Sequence, residues 1–380
     1  MKNFHCQKCG HQVFFESVVC VHCGAKLGYL PEENVIGSFE DAGNGTWRRL
    51  GREEQQVKPC ANYLDHGVCN WMVSGDDANR LCKSCRLTSV VPSLSDNRNL
   101  DYWRDLETAK RRLLYSLMSL NLHPFATETD SRPAMSFRFL DPELATGKVV
   151  TGHDQGVITL SLQEADPVER ERFRQDLGEY YRTLLGHFRH ESGHYYFERL
   201  IADGPWLEEF RAHFGDERAD YAERLTLYYQ DGKNSEWEAN FISCYASSHP
   251  WEDWAETWAH YLHMIDTLEA ARVCGVSLAP SHPREPELHA AQLVPPKDDS
   301  FKNLFDDWFA LTYVINNLNR SMGMPDAYPF AISGPAQEKL RFVHRVLQAL
   351  GSASSSSTDA ACTSGNSVAV NEPRQAPVTT

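Results

Sequence analysis

Eight of the eleven cysteines fall within the first 85 residues, six of them as C-x2-C pairs. In a reducing compartment, thiols spaced this closely serve as metal ligands rather than disulfide partners. Cys6-x2-Cys9 and Cys20-x2-Cys23 stand ten residues apart, and each pair is followed directly by glycine, Gly10 or Gly24. Two knuckles of this form predict a zinc ribbon over residues 1–30. A less regular quartet, Cys60-x8-Cys69-x12-Cys82-x2-Cys85, predicts a second four-cysteine module over residues 56–92, with His66 as an alternative ligand. Four thiolates close a tetrahedral shell and leave no position for water, so both zinc ions are expected to be structural. Modules this short bury too little surface to fold unaided, and the metal supplies the missing stability. Between them, the polar, glycine-containing residues 31–55 read as a linker.

Charge separates the two halves of the chain. Residues 1–90 carry ten Lys/Arg and ten Asp/Glu, so the whole net charge of -15 resides in residues 91–380. Such a chain gains little from a phosphate backbone, and nucleic acid is not an expected partner. The opening MKNFHCQKCG lacks the apolar stretch of an export signal. No apolar run approaches the ~18 residues of a membrane span. A cytoplasmic location is the expectation.

From residue 96 to about 350 the pattern is mainly helical. Leu106, Leu113, Leu117 and Leu120 recur at helical spacing, which would turn Lys110, Arg111 and Arg112 outward. Strand-prone stretches follow at 135–140, 148–152 and 156–162, the last two joined by the hairpin turn GHDQG. One long helix should start at Asp166-Pro167 and stop at Asp203-Gly204-Pro205, and another should start at Pro250. Two more are expected at 300–319 and 336–350. Strands clustered ahead of helices indicate an α+β domain with a small N-terminal sheet. Residues 351–380 are low-complexity and read as a disordered tail.

The long helix carries HFRHESGHYYF, residues 187–197. His190 and His194, four apart, project from one helical face and can hold one ion. Glu191 points beside that ion, where a carboxylate can take a proton from activated water and return it to a leaving amine. Gly193 weakens the helix, as though space were needed there. Catalytic zinc usually takes a third protein ligand. The segment YASSHPWEDWAETWAHYLHM, residues 245–264, offers Glu252 and Glu256 one turn apart on an aromatic-rich helix, where a carboxylate is costly to bury unless paired or metal-bound. Both are candidates for that ligand. His187, His249, His260 and His263 are expected to be hydrogen-bonded or packed, with His260 a competitor for any role as partner to a ligand.

HESGH followed by a helix bearing E-x-x-x-E resembles the gluzincin metallopeptidases. The EDWAE string is similar to the glutamate helix of the anthrax lethal factor-like peptidases. More broadly, residues 1–350 resemble a bacterial family of zinc-binding metallopeptidases that joins an N-terminal zinc ribbon to such a domain, HPWEDWAETWAHYLHM being the most distinctive piece. The resemblance implies a zincin-like fold, with Glu252 as third zinc ligand and Glu256 orienting a ligand histidine. It also implies that Tyr245, seven residues before Glu252, stabilises the transition state. The 58 positions from His194 to Glu252 exceed the gap in compact gluzincins, which leaves the third ligand open, with Glu252 the first choice and Glu256 the second. By analogy, strand 156–162 would offer an edge to an extended peptide. Together these features imply one catalytic and two structural zinc ions, a peptide or protein substrate, and ribbons free to contact a protein partner or cap the peptidase. An adaptor with a peptidase-derived scaffold, or hydrolysis of a non-peptide amide, are the alternatives.

Overall fold

The computed structural model describes residues 2–125, 132–142, 149, 151–177, 183–230, 236–289 and 300–359. Its first hairpin pairs β1 (Phe4–His5) with β2 (Gln12–Val13), and Cys6 and Cys9 lie in the turn. Gly10 and Gly24 each have φ of 73°, the left-handed conformation that lets the knuckles wrap round their thiols. Their amides donate to the Cys6 and Cys20 carbonyls at 2.8 and 2.9 Å.

Residues 31–55 form no linker. β3 (Lys26–Leu30), β4 (Val35–Gly43), β5 (Thr46–Arg49), β6 (Arg52–Pro59) and β7 (Met72–Ser74) make an antiparallel sheet in that order. The sheet curls until Tyr29 bridges Trp71 and brings its two ends together. The polar composition is that of strands with one wet face: Leu30, Phe39, Trp47, Val57 and Met72 pack inside, while Glu40, Asp41 and Arg48 face solvent. Gly43, Asn44, Gly45 and Gly51 occupy turns at positive φ rather than a flexible connection.

The second quartet sits on short helices, with Cys60 ahead of α1 (Ala61–Leu64) and Cys82 capping α2 (Lys83–Arg86). Tyr63 and Asn70 tie this region to the first knuckles, bonding the Val18 and Phe15 carbonyls at 3.0 and 2.6 Å. Next comes β8 (Thr88–Val90), which falls inside the second module as the cysteine spacing bounds it. It pairs instead with the following domain's sheet, so the boundary at residue 92 cuts through a shared element.

α3 (Asn97–Ser119) is capped by Asp96, whose carboxylate accepts from the Arg98 amide at 2.8 Å. Leu106, Leu113 and Leu117 are buried as the spacing requires, but Lys110 and Arg111 do not face outward. The helix is sandwiched between the ribbon and the domain body, so both of its faces are covered. Lys110 pairs with Glu107 at 2.8 Å, both side chains fully buried. Arg111 donates to the Val68 carbonyl at 2.6 Å, and Arg112 meets Glu16 at the same distance. Burial opposes the Arg111 charge, yet the Cys69 thiol, Glu107, Cys85 and Cys82 together raise its pKa. A zinc ion held by four thiolates carries net negative charge, and Arg111 is the cation that the domain brings to it. Arg111→Met is expected to weaken zinc retention at this quartet by about tenfold. Release of one of the zinc ions to a chromophoric chelator checks it, and unchanged release kinetics would count against it.

The domain sheet runs β10–β11–β9–β8, with β9 (Ser136–Leu140), β10 (Gly152–Asp154) and β11 (Val157–Ser161). The β10–β11 hairpin turns on Gln155 and Gly156, both at positive φ, as a two-residue primed turn demands. β11 is flanked on both sides, so the edge strand beside it is β10, not residues 156–162. Residues 148 and 150 of the expected strand lie outside the described residues. The expected long helix is divided. Asp166 caps α4 (Pro167–Leu177), while the extended Thr183 starts α5 (Leu184–Leu200) and accepts from the Gly186 amide at 3.0 Å. Residues 178–182 lie outside the described residues.

α6 (Leu207–Phe214) and α7 (Tyr221–Gln230) fill the long gap before α8 (Pro250–Val273), which starts at Pro250 as expected. α9 (Ser300–Ser321) and α10 (Gly334–Asp359) pack behind it. α10 runs past Leu350, beyond which the composition places a tail, and residues 360–380 lie outside the described residues. The outcome is a mixed α+β chain: ribbon sheet and cysteine clusters first, helical body after. Among the described residues no helix is long and apolar enough to cross a membrane.

Candidate metal centre and active site

α5 and α8 cross at Gly193. A Cβ there would stand 2.9 Å from the Ala255 Cα and 3.2 Å from Trp258 Cδ1, so only glycine allows this approach. Two indoles fasten the crossing. Trp254 Nε1 donates to the Gly193 carbonyl at 2.8 Å, and Trp258 Nε1 to Ser192 Oγ at 3.1 Å. Ala255 lies between Glu252 and Glu256, so the close approach brings both carboxylates against the histidines of α5.

Three atoms converge. His190 Nε2 lies 3.0 Å from Glu252 Oε2 and 3.2 Å from His194 Nε2, and His194 Nε2 lies 3.4 Å from Glu252 Oε2. A tetrahedral zinc with bonds near 2.1 Å sets its ligand atoms about 3.4 Å apart, so the triangle has the size of that ion's coordination face. Glu252 is 1% exposed, and its Oε2 has no hydrogen-bond partner among the described residues. An acceptor carrying charge is not left so without a counter-ion. The residues fit zinc.

The surroundings hold these ligands in place. Glu256 accepts from His190 Nδ1 at 2.7 Å, which fixes the tautomer that leaves Nε2 free. Glu256 is itself held by Ser243, whose hydroxyl donates at 2.6 Å. Tyr221 donates to Glu252 Oε1 at 2.5 Å. Glu191 is buried beside the triangle, and burial raises its carboxyl above the usual range, with the Glu252 and Glu256 charges adding to the rise. Tyr245 sits in a turn just before α8, its ring centroid 5.9 Å from that of His190. Burial, then the Glu252 carboxylate, raise its phenol well above the ordinary value, so it remains a donor.

The other histidines lie off the triangle. His187 faces Glu164 at 3.4 Å, His260 bonds the Tyr328 hydroxyl at 2.7 Å, and Arg189 donates to His263 at 3.2 Å. His260 is thus engaged elsewhere, and of the two candidate partners Glu256 is the one that bonds a ligand histidine. His249 caps α8. His66 packs at a tilt against Trp103, with ring centroids 5.4 Å apart, rather than joining the second quartet.

Sequence reasoning passed over four residues. Tyr221 and Ser243 belong to no motif. Trp251 is half-buried and lies on the site, its ring centroid 3.9 Å from that of His194. His153, hidden in the turn GHDQG, accepts from the Gly156 amide at 3.0 Å and stacks 6.5 Å from His194. Burial and then the neighbouring His194 lower its pKa to about 4, so it is neutral.

Both cysteine quartets also have metal geometry. Cys6 and Cys23, like Cys9 and Cys20, lie 3.6 Å apart, and Cys69 and Cys82 lie 3.7 Å apart. A zinc tetrathiolate with bonds near 2.3 Å requires about 3.8 Å. The described cysteines form no disulfide.

Residues 99–346 match the family described as "Putative zinc-binding metallo-peptidase", and residues 3–96 match a zinc-ribbon domain. The chain belongs to this metallo-peptidase family. The ribbon match spans both quartets and the sheet between them, in keeping with one continuous unit. Among similar relatives are uncharacterized proteins of Mycobacterium tuberculosis and Mycobacterium bovis, each 41% identical over 349 residues, covering 91% of this chain and 95% of the relative. No solved structure matches.

Proposed function

We propose that this chain is a zinc-dependent peptidase of the glutamate-zincin type, with His190, His194 and Glu252 as zinc ligands and Glu191 as general base. The observation that carries this reading is the triangle of ligand atoms whose third corner, Glu252 Oε2, is a buried carboxylate oxygen with no hydrogen-bond partner among the described residues. Zinc held there supplies Lewis acidity toward a peptide carbonyl and toward water. Glu191 takes the proton of the attacking water and passes it to the departing amine. Tyr245 donates to the oxyanion that develops on the carbonyl. Glu256 keeps His190 in the tautomer that directs Nε2 inward.

The ribbon has a structural part in this reading. Its quartets each hold one zinc, and it caps α3, whose other face supports α5. The substrate is a peptide or unfolded protein.

Three zinc ions per chain are expected by elemental analysis. Stripping the loosest with a chelator should abolish hydrolysis of denatured casein, and one equivalent of zinc should restore it. Hydrolysis that persists after that ion has gone would exclude the mechanism.

A further inference from the structure

Glu252 has two carboxylate oxygens, and only one of them faces the histidines. The other, Oε1, accepts from the Tyr221 hydroxyl at 2.5 Å. Tyr221 comes from a shallowly packed element, tied elsewhere through Tyr228, whose hydroxyl donates to Cys244 Sγ at 3.4 Å and whose ring stands edge-on to Tyr245. Tyr221 opens α7, which has no buried residue over its ten positions. Leu227 and Tyr229 are 43% and 60% exposed.

The start of that helix is nonetheless pinned to the start of α8. His249 caps α8 by accepting from the Trp251 amide on Nδ1 at 3.1 Å, so its Nε2 carries the proton. That Nε2–H meets the Ala219 carbonyl, two residues before Tyr221, at 3.0 Å. The Tyr221 ring then stands edge-on to His249 and Trp251, with centroids at 5.3 and 5.6 Å. His249, Trp251 and Glu252 thus form a notch on the first turn of α8, and Tyr221 fills it.

From this juxtaposition we infer that Tyr221 is a positioning residue for Glu252, and that it couples metal affinity to the docking of α7. The inference rests on the ligand set proposed above. With Oε1 engaged by the Tyr221 hydroxyl, Glu252 would offer a metal the one oxygen, Oε2, that lies against both histidines. Without that bond the carboxylate is free to turn about its last torsion, and Oε2 is no longer held toward the histidines. The coupling is reciprocal: a metal that favours the docked Glu252 also favours the docked helix.

The test uses the full-length chain and zinc alone. Tyr221→Phe keeps the ring in its notch and removes only the hydroxyl, which separates positioning from packing. Competition with a chromophoric chelator should show two tight zinc ions unchanged and the third weakened about 10–100-fold. Amide exchange over residues 221–230 should slow when the third zinc binds to the wild type, and should not respond in Tyr221→Phe. Equal affinity for the third zinc in both proteins, or exchange in α7 indifferent to zinc, overturns the inference while leaving the ligand set standing. If the wild type binds no third zinc, the ligand set falls and this inference falls with it.

Discussion

Glu191→Gln should lower peptide hydrolysis by about 10²–10⁴-fold and leave three zinc ions in place. The substitution is nearly isosteric, and the side chain it replaces is 7% exposed with Oε2 unpartnered among the described residues. An amide therefore fills the same space beside the same triangle. It cannot accept the proton of the attacking water at neutral pH or deliver one to the leaving amine. A loss of this size corresponds to about 3–5 kcal/mol on the barrier, within the range of one general base. Rates on a fluorescent peptide library, read beside zinc content, make the comparison. Equal rates in the two proteins would remove Glu191 from the mechanism, and equal rates that are also independent of zinc would leave the domain as a scaffold.

What the sequence revealed of this site was whatever could be written within one helix. His190 and His194 share a face because four residues make about one turn, and the same arithmetic places Glu252 beside Glu256. The partnership between helices was legible only through a family resemblance, since 58 residues separate His194 from Glu252. Tyr221 was invisible for the same reason. Its role arises from His249 pulling the start of α7 onto the start of α8, a tertiary event with no local signature.

The misreadings have a related cause. Residues 31–55 resemble a linker because strands with one wet face are polar in composition, and their glycines serve turns. Lys110 and Arg111 read as solvent-facing because the leucine stripe marks only one covered side of α3. The ribbon covers the other, and there Glu107 and the second quartet supply the compensating charge. Strand 156–162 reads as an edge because only its hairpin with β10 has a local signature, and its second, parallel pairing with β9 has none.

Gly193→Val should cost the chain about 3 kcal/mol and reduce its zinc content from three to two. In an exposed helix the reverse would hold, since replacing glycine with valine favours the helical state by roughly 0.3–0.5 kcal/mol. Here the first added atom already meets the Ala255 Cα at 2.9 Å, and that obstacle is backbone, not a side chain that can swing aside. α8 has to retreat, and Ala255 stands three residues after Glu252 and one before Glu256. Movement at that point carries both carboxylates off His190, and it strains the indole bonds from Trp254 and Trp258. The two cysteine quartets lie outside the crossing and should keep their metal. Denaturant unfolding measures the first quantity and elemental analysis the second. A Gly193→Val protein with wild-type stability and three zinc ions would mean that the close approach does not control the site.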